Sequence, residues 1–95
     1  MHGSISIRVR LYAQYRQIAG VDEVELQVSE SGKVYDALLE LVQQLPGLRN
    51  SIRQLIDEDG SENQAVLVID RRVVTLDTPV RSEDELKLLP PISGG

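Results

Sequence analysis

The sequence predicts an α+β domain built on a mixed sheet of about five strands crossed by one main helix. Three observations carry this. The segments "ISIRVRLY" and "DEVELQV" alternate apolar and polar residues with the two-residue period of half-buried strands. The segment "KVYDALLELVQQL" repeats its apolar residues at three- and four-residue steps. Short apolar segments with strand character then return in "AVLVI" and "ELKLL".

In the first strand Ile5, Ile7, Val9 and Leu11 share one face, with Ser6, Arg8, Arg10 and Tyr12 on the other. "AQYRQIAG" offers a short helical turn closed by Gly20, and in the second strand Val24, Leu26 and Val28 point inward. A wide antiparallel hairpin follows from their adjacency. Val34, Ala37, Leu38, Leu41, Val42 and Leu45 form the helix stripe. Ser31-Gly32 mark its start, Asp36 sits in its first turn and Pro46-Gly47 stop it.

A weaker helical stretch, "LRNSIRQLI", aligns Leu48, Ile52 and Leu55, and the polar "DEDGSEN" reads as a loop. The continuous "AVLVI" reads as a strand buried on both faces or nearly so, and "DRR" turns it into "VVTL" as a second hairpin. "DTPVRSEDE" is expected on the surface, and "ELKLL" is the last strand, with Leu86 and Leu88 inward. A hairpin, a helix over one face and a return to the same sheet is the β-grasp arrangement, with the last strand parallel to the first. Residues 1–4 are expected to be a disordered start or cloning remnant, 5–90 the domain and 91–95 a flexible Gly-Gly tail. Nothing is left in the chain to cover the second face of the sheet.

Composition excludes much. At 95 residues there is room for one domain. There is no cysteine, which removes disulfides, thiolate metal sites and thiol nucleophiles. The one histidine, His2, lies in the ragged start, so a His-based metal site or a Ser–His triad lacks material, and no metal site is expected. A formal charge of −5 argues against nucleic acid as a partner and suits a basic protein face. No apolar run is long enough to span a bilayer and no signal pattern is present, so no membrane association and a cytoplasmic location are expected.

The chain finishes "LLPPISGG". A bare Gly-Gly end is weak evidence, but Pro90-Pro91 followed by Ser93-Gly94-Gly95 directly after a strand is more specific. With "VRLYAQYRQIAG", which places Tyr12, Ala13 and Arg16 on an "FA-x-x-R" pattern, and with "VYDALLEL", the chain from Ile5 to Gly95 resembles the MoaD/ThiS ubiquitin-like sulfur carriers, most closely the MoaD branch. It departs from the family at three places. Glu83 stands where a Gly often precedes the acidic pair, Asp70-Arg71-Arg72 replaces an Asn-Gly-like turn, and Lys33 holds a cap position often filled by Thr.

The resemblance implies a sulfur carrier in molybdopterin biosynthesis without catalytic side chains of its own. The Gly95 carboxylate would be adenylated with ATP by a MoeB-like activating enzyme and thiocarboxylated from a sulfur donor protein. Its sulfur would then pass to a pterin precursor in a heterotetramer with a MoaE-like large subunit. No bound cofactor is implied. Gly94 and Gly95, lacking Cβ, fit a narrow channel, and Pro90 and Pro91 have little freedom to lose on ordering. The resemblance also places Tyr12, Val73 and Leu89 on the partner-binding face, although Leu89 reads equally well as core. Arg16 is a partner contact or a solvated turn residue. Three other readings stay open: a carrier for thiamine, cysteine or tRNA thiolation; a protein modifier forming isopeptide bonds through Gly95; and a β-grasp interaction module.

Overall fold

The computed structural model describes residues 3–57 and 65–91. Strand β1 (Ser4–Leu11) is followed by helix α1 (Ala13–Ala19), strand β2 (Glu23–Ser29) and helix α2 (Val34–Gln44). A 3₁₀ turn (Pro46–Leu48) leads into helix α3 (Arg49–Asp57), and strands β3 (Val66–Ile69), β4 (Arg72–Val73) and β5 (Glu85–Leu89) complete the sheet. Its order is β2-β1-β5-β3-β4. β1 and β5 are parallel at the centre, and the other pairs are antiparallel. This is the β-grasp arrangement expected from the element order.

One face of the sheet carries the core. Ile7, Val9, Leu11, Leu26, Val28, Leu67, Ile69, Leu86 and Leu88 are buried there with Val34, Ala37, Leu38 and Leu41 of α2. Removing this apolar surface from water, at about 25 cal/mol per Å², supplies the main drive for the fold. Leu48, Ile52 and Leu55 extend the same cluster. The second helical stretch is therefore a full part of the core.

Four expectations are corrected. The domain does not begin at Ile5: Ser4 already pairs with Ser29, and the Gly3 carbonyl accepts a hydrogen bond from the Glu30 amide at 3.0 Å. The β3 segment is not buried on both faces, because Leu67 and Ile69 are buried while Val66 and Val68 are only half-buried. β4 is two residues long, Arg72–Val73, and beyond it the Val74 amide still donates to the Leu67 carbonyl of β3 at 2.9 Å.

The segment before β5 is not merely a surface loop. Val80 is buried, and the carbonyls of Leu76 and Thr78 accept from the Tyr35 and Val34 amides at 3.0 and 2.9 Å. These amides are in the first turn of α2 and have no partner within the helix, so the loop backbone caps it. The Asp36 carboxylate completes the cap by accepting from the Lys33 amide at 2.9 Å. That is how Lys33 is tolerated at the cap position. The expected polar loop "DEDGSEN" falls almost wholly outside the described residues, as does His2.

Candidate docking face and tail exit

Among the described residues no helix lies over the second face of the sheet, and strand register orders its side chains. One row runs across all five strands: Glu23, Arg10, Lys87, Val68 and Val73. On one side of it lies the row Glu25, Arg8, Glu85. On the other side Leu89 faces Val66, and Tyr12 continues β1 beside β5. The face is thus divided. Toward β2 it is charged, and toward β3 and β4 it is apolar, with Tyr12, Val66, Val68, Val73 and Leu89.

Val73 is 75% exposed, the most exposed of the large apolar side chains among the described residues. Tyr12 and Leu89 are half-buried on this face, so Leu89 is not part of the helix-side core. Val66 and Val68 belong to the same patch, although the sequence reading assigned them to the interior. A run of consecutive apolar residues hides which side of a strand is free. The signal that could have exposed them is register, since both are placed beside outward-facing residues of β5.

β5 ends beside this patch. The Leu88 carbonyl accepts the last bond from β1, given by the Tyr12 amide at 3.3 Å. Pro90 has no amide proton with which to continue a ladder. Pro90 and Pro91 are half-buried at the end of β5. Ser93, Gly94 and Gly95 lie outside the described residues.

At the same end, Ala13 takes a positive φ of 52°, turning the chain from β1 into α1 immediately after Tyr12. A non-glycine residue in this region is held there by its surroundings. Here the surroundings are the end of the parallel ladder and the bond from the Tyr15 amide to the Tyr12 carbonyl at 3.1 Å. Arg16 is not brought onto the sheet face. It is exposed on α1, in the last turn, where a cation is favoured by the helix dipole.

The acidic run before β5 serves the fold. The Asp84 carboxylate accepts from the Arg81 amide at 2.7 Å, and Glu83 takes a left-handed φ of 71°. The Glu83 amide and Asp84 carbonyl then bond β1 at Ser6 and Arg8, fixing the start of β5. Among the described residues no group of His, Cys, Asp or Glu is placed to hold a metal ion, and no helix is long and apolar enough to cross a membrane.

The described sheet thus carries an apolar patch on the face away from α2, and its last strand ends in Pro90-Pro91 beside that patch. Residues 9–95 match the ThiS family, and the chain belongs to that family of ubiquitin-like sulfur carriers. It is 32% identical over 92 residues to the molybdopterin synthase sulfur carrier subunit of Arabidopsis thaliana, covering 97% of this chain and 85% of that one. Among solved structures it is similar to SAMP1 from Haloferax volcanii, with a TM-score of 0.80 and 30% identity over 95% of this chain and 99% of that one. A putative molybdopterin converting factor, subunit 1, from Pyrococcus furiosus shares the fold with a TM-score of 0.72 at 22% identity, over 93% of this chain and 99% of that one.

Proposed function

We propose that this chain is the sulfur-carrying subunit of a molybdopterin synthase, working in the cytoplasm as a delivered reactant. One observation carries the reading: the uncovered apolar patch of Tyr12, Val66, Val68, Val73 and Leu89 lies where β5 runs into Pro90-Pro91. A partner that docks on this patch receives the tail at the same time. The five residues Pro91–Gly95 reach about 16 Å when extended, at roughly 3.3 Å per residue. The relationship to the Arabidopsis thaliana subunit supports molybdopterin as the destination.

The chemistry follows from the terminal carboxylate. As an anion with an oxide leaving group it resists nucleophiles. One of its oxygens attacks the α-phosphorus of ATP on an activating enzyme, pyrophosphate leaves, and Gly95 becomes an acyl-adenylate. A persulfide sulfur of a donor protein attacks the acyl carbon and AMP departs. A second thiol of the donor then cleaves the sulfur–sulfur bond and is oxidised to a disulfide, leaving a thiocarboxylate on Gly95. Its sulfur, ionised near neutral pH, is the nucleophile toward a pterin precursor held by a MoaE-like large subunit. The side chains of this domain position the tail and take no part in bond-making.

The test is reconstitution with ATP, a persulfide donor, the activating enzyme and the large subunit of the same source. Conversion of the pterin precursor to its dithiolene supports the reading, and a charged carrier that never yields product overturns the molybdopterin assignment. A second reading has a specific observation behind it, the similarity to Haloferax volcanii SAMP1, since the SAMP1 of Methanosarcina acetivorans is described as a small archaeal modifier protein. In that reading a lysine amine attacks the acyl-adenylate and AMP leaves, forming an isopeptide bond. Higher-mass conjugates after adding ATP and the activating enzyme to a lysate would favour it.

A further inference from the structure

The docking face has a second, charged component. Arg10 and Lys87 are register neighbours on the parallel β1–β5 pair, at the centre of the uncovered face and next to Val68. Like charges placed side by side on one face of a sheet destabilise it, so the fold gains nothing from this pairing. The surrounding anions do not fully neutralise it. Glu23 lies opposite Arg10 in the antiparallel ladder, yet its carboxylate bonds the Arg8 Nε at 2.8 Å. The Glu85 carboxylate lies 4.0 Å from the Lys87 Nζ, at the limit of an ion pair. Arg10 is in no ion pair with another described residue. A chain of net charge −5 thus holds two adjacent cations at the middle of its bare face, bordering the apolar patch and the tail exit.

We infer that Arg10 and Lys87 form a specificity clamp for the ATP-dependent activating enzyme, which must present an apolar centre flanked by carboxylates to this face. The inference rests on the proposed use of the face. The activating enzyme is the occupant because adenylation comes first whether the sulfur is destined for a pterin, another acceptor, or is replaced by a lysine. Because Arg10 and Lys87 border the apolar patch, the matching carboxylates flank the apolar part of the activating enzyme's docking surface, outside the channel that takes the glycines. Charges flanking an apolar contact steer the encounter and select the partner, and the apolar contact holds it. Arg10 and Lys87 are therefore positioning residues, remote from the reacting atoms.

The experiment measures pyrophosphate release by the activating enzyme against carrier concentration, at low and high salt. The wild type, R10Q/K87Q, R10E/K87E, R10K/K87R and V73D are compared, with the melting transition of each recorded first. The inference expects R10Q/K87Q to raise KM about tenfold with kcat held, and to flatten the salt dependence seen in the wild type. R10E/K87E goes further in the same direction, while R10K/K87R stays within about twofold because the charge is retained. If the reversed pair does not fold, the glutamine pair carries the test alone. If V73D raises KM while R10Q/K87Q and R10E/K87E leave it unchanged, the clamp is wrong and the apolar docking face stands. If V73D and the charge variants all leave KM unchanged, both fall.

Discussion

Val73 is a branched apolar side chain left three-quarters exposed on a two-residue strand, and its position decides what it contributes. A replacement there removes almost no packing, so Val73→Asp should leave the melting free energy within about 0.5 kcal/mol of wild type. The same change puts a charge into the apolar patch of the proposed interface, and binding to the activating enzyme, measured by calorimetry, should weaken by about tenfold or more. Glu83 is the opposite kind of residue. It holds a left-handed φ of 71° that costs a residue with a Cβ about 1–2 kcal/mol, in a turn where the family often places Gly. Glu83→Gly relieves that strain against the added freedom of glycine in the unfolded chain. A net gain of about 0.5–1 kcal/mol in denaturant unfolding is expected, with adenylation unchanged. Asp70 and Arg71, both at positive φ, show that the β3–β4 hairpin adopts the turn Asn-Gly would favour, without either residue.

At the scale of elements, α2 carries the closure of the core. Leu38 is fully buried against the sheet, and Leu38→Ala should cost about 2–5 kcal/mol in denaturant unfolding. That is a large part of the whole stability of a domain this size. The strands and this helix were legible because periodicity reports burial directly: Ile7, Val9 and Leu11 on β1, and Val34, Leu38 and Leu41 on α2, are buried as the spacing required. The half-exposure of Val66 and Val68 was not legible, because an unbroken apolar run has no period. Nor was the capping of α2 by the Leu76 and Thr78 carbonyls, since backbone groups leave no signature in residue type. Tyr15 on α1 is buried, and desolvation raises its pKa above the ordinary 10.0. The native state therefore keeps its proton where the unfolded chain begins to lose it. Stability from Tyr15 is present below pH 10.0 and declines as pH rises beyond it, which a melting series from neutral into alkaline pH should show, with the slope reduced in Tyr15→Phe.

On the scale of the whole molecule, the proposed function separates a body from a working end. The core lies under α2, while the bare face gathers the apolar patch, the Arg10–Lys87 pair and the exit of β5 on one surface. The candidate docking face was partly legible: Tyr12, Val73 and Leu89 are expected there from the family pattern and the sheet brings them to one face, but Arg16 stands apart on α1. The central claim is that the reacting atom belongs to the main-chain terminus at Gly95 and to no side chain. Its most direct test is the intact mass of the chain after incubation with ATP, a persulfide donor and the activating enzyme, alongside a variant lacking Gly95. The full chain is predicted to gain the difference between sulfur and oxygen, while the shortened chain melts at the same temperature and gains nothing. An equal gain in the shortened chain, or none in the full chain, would contradict the account.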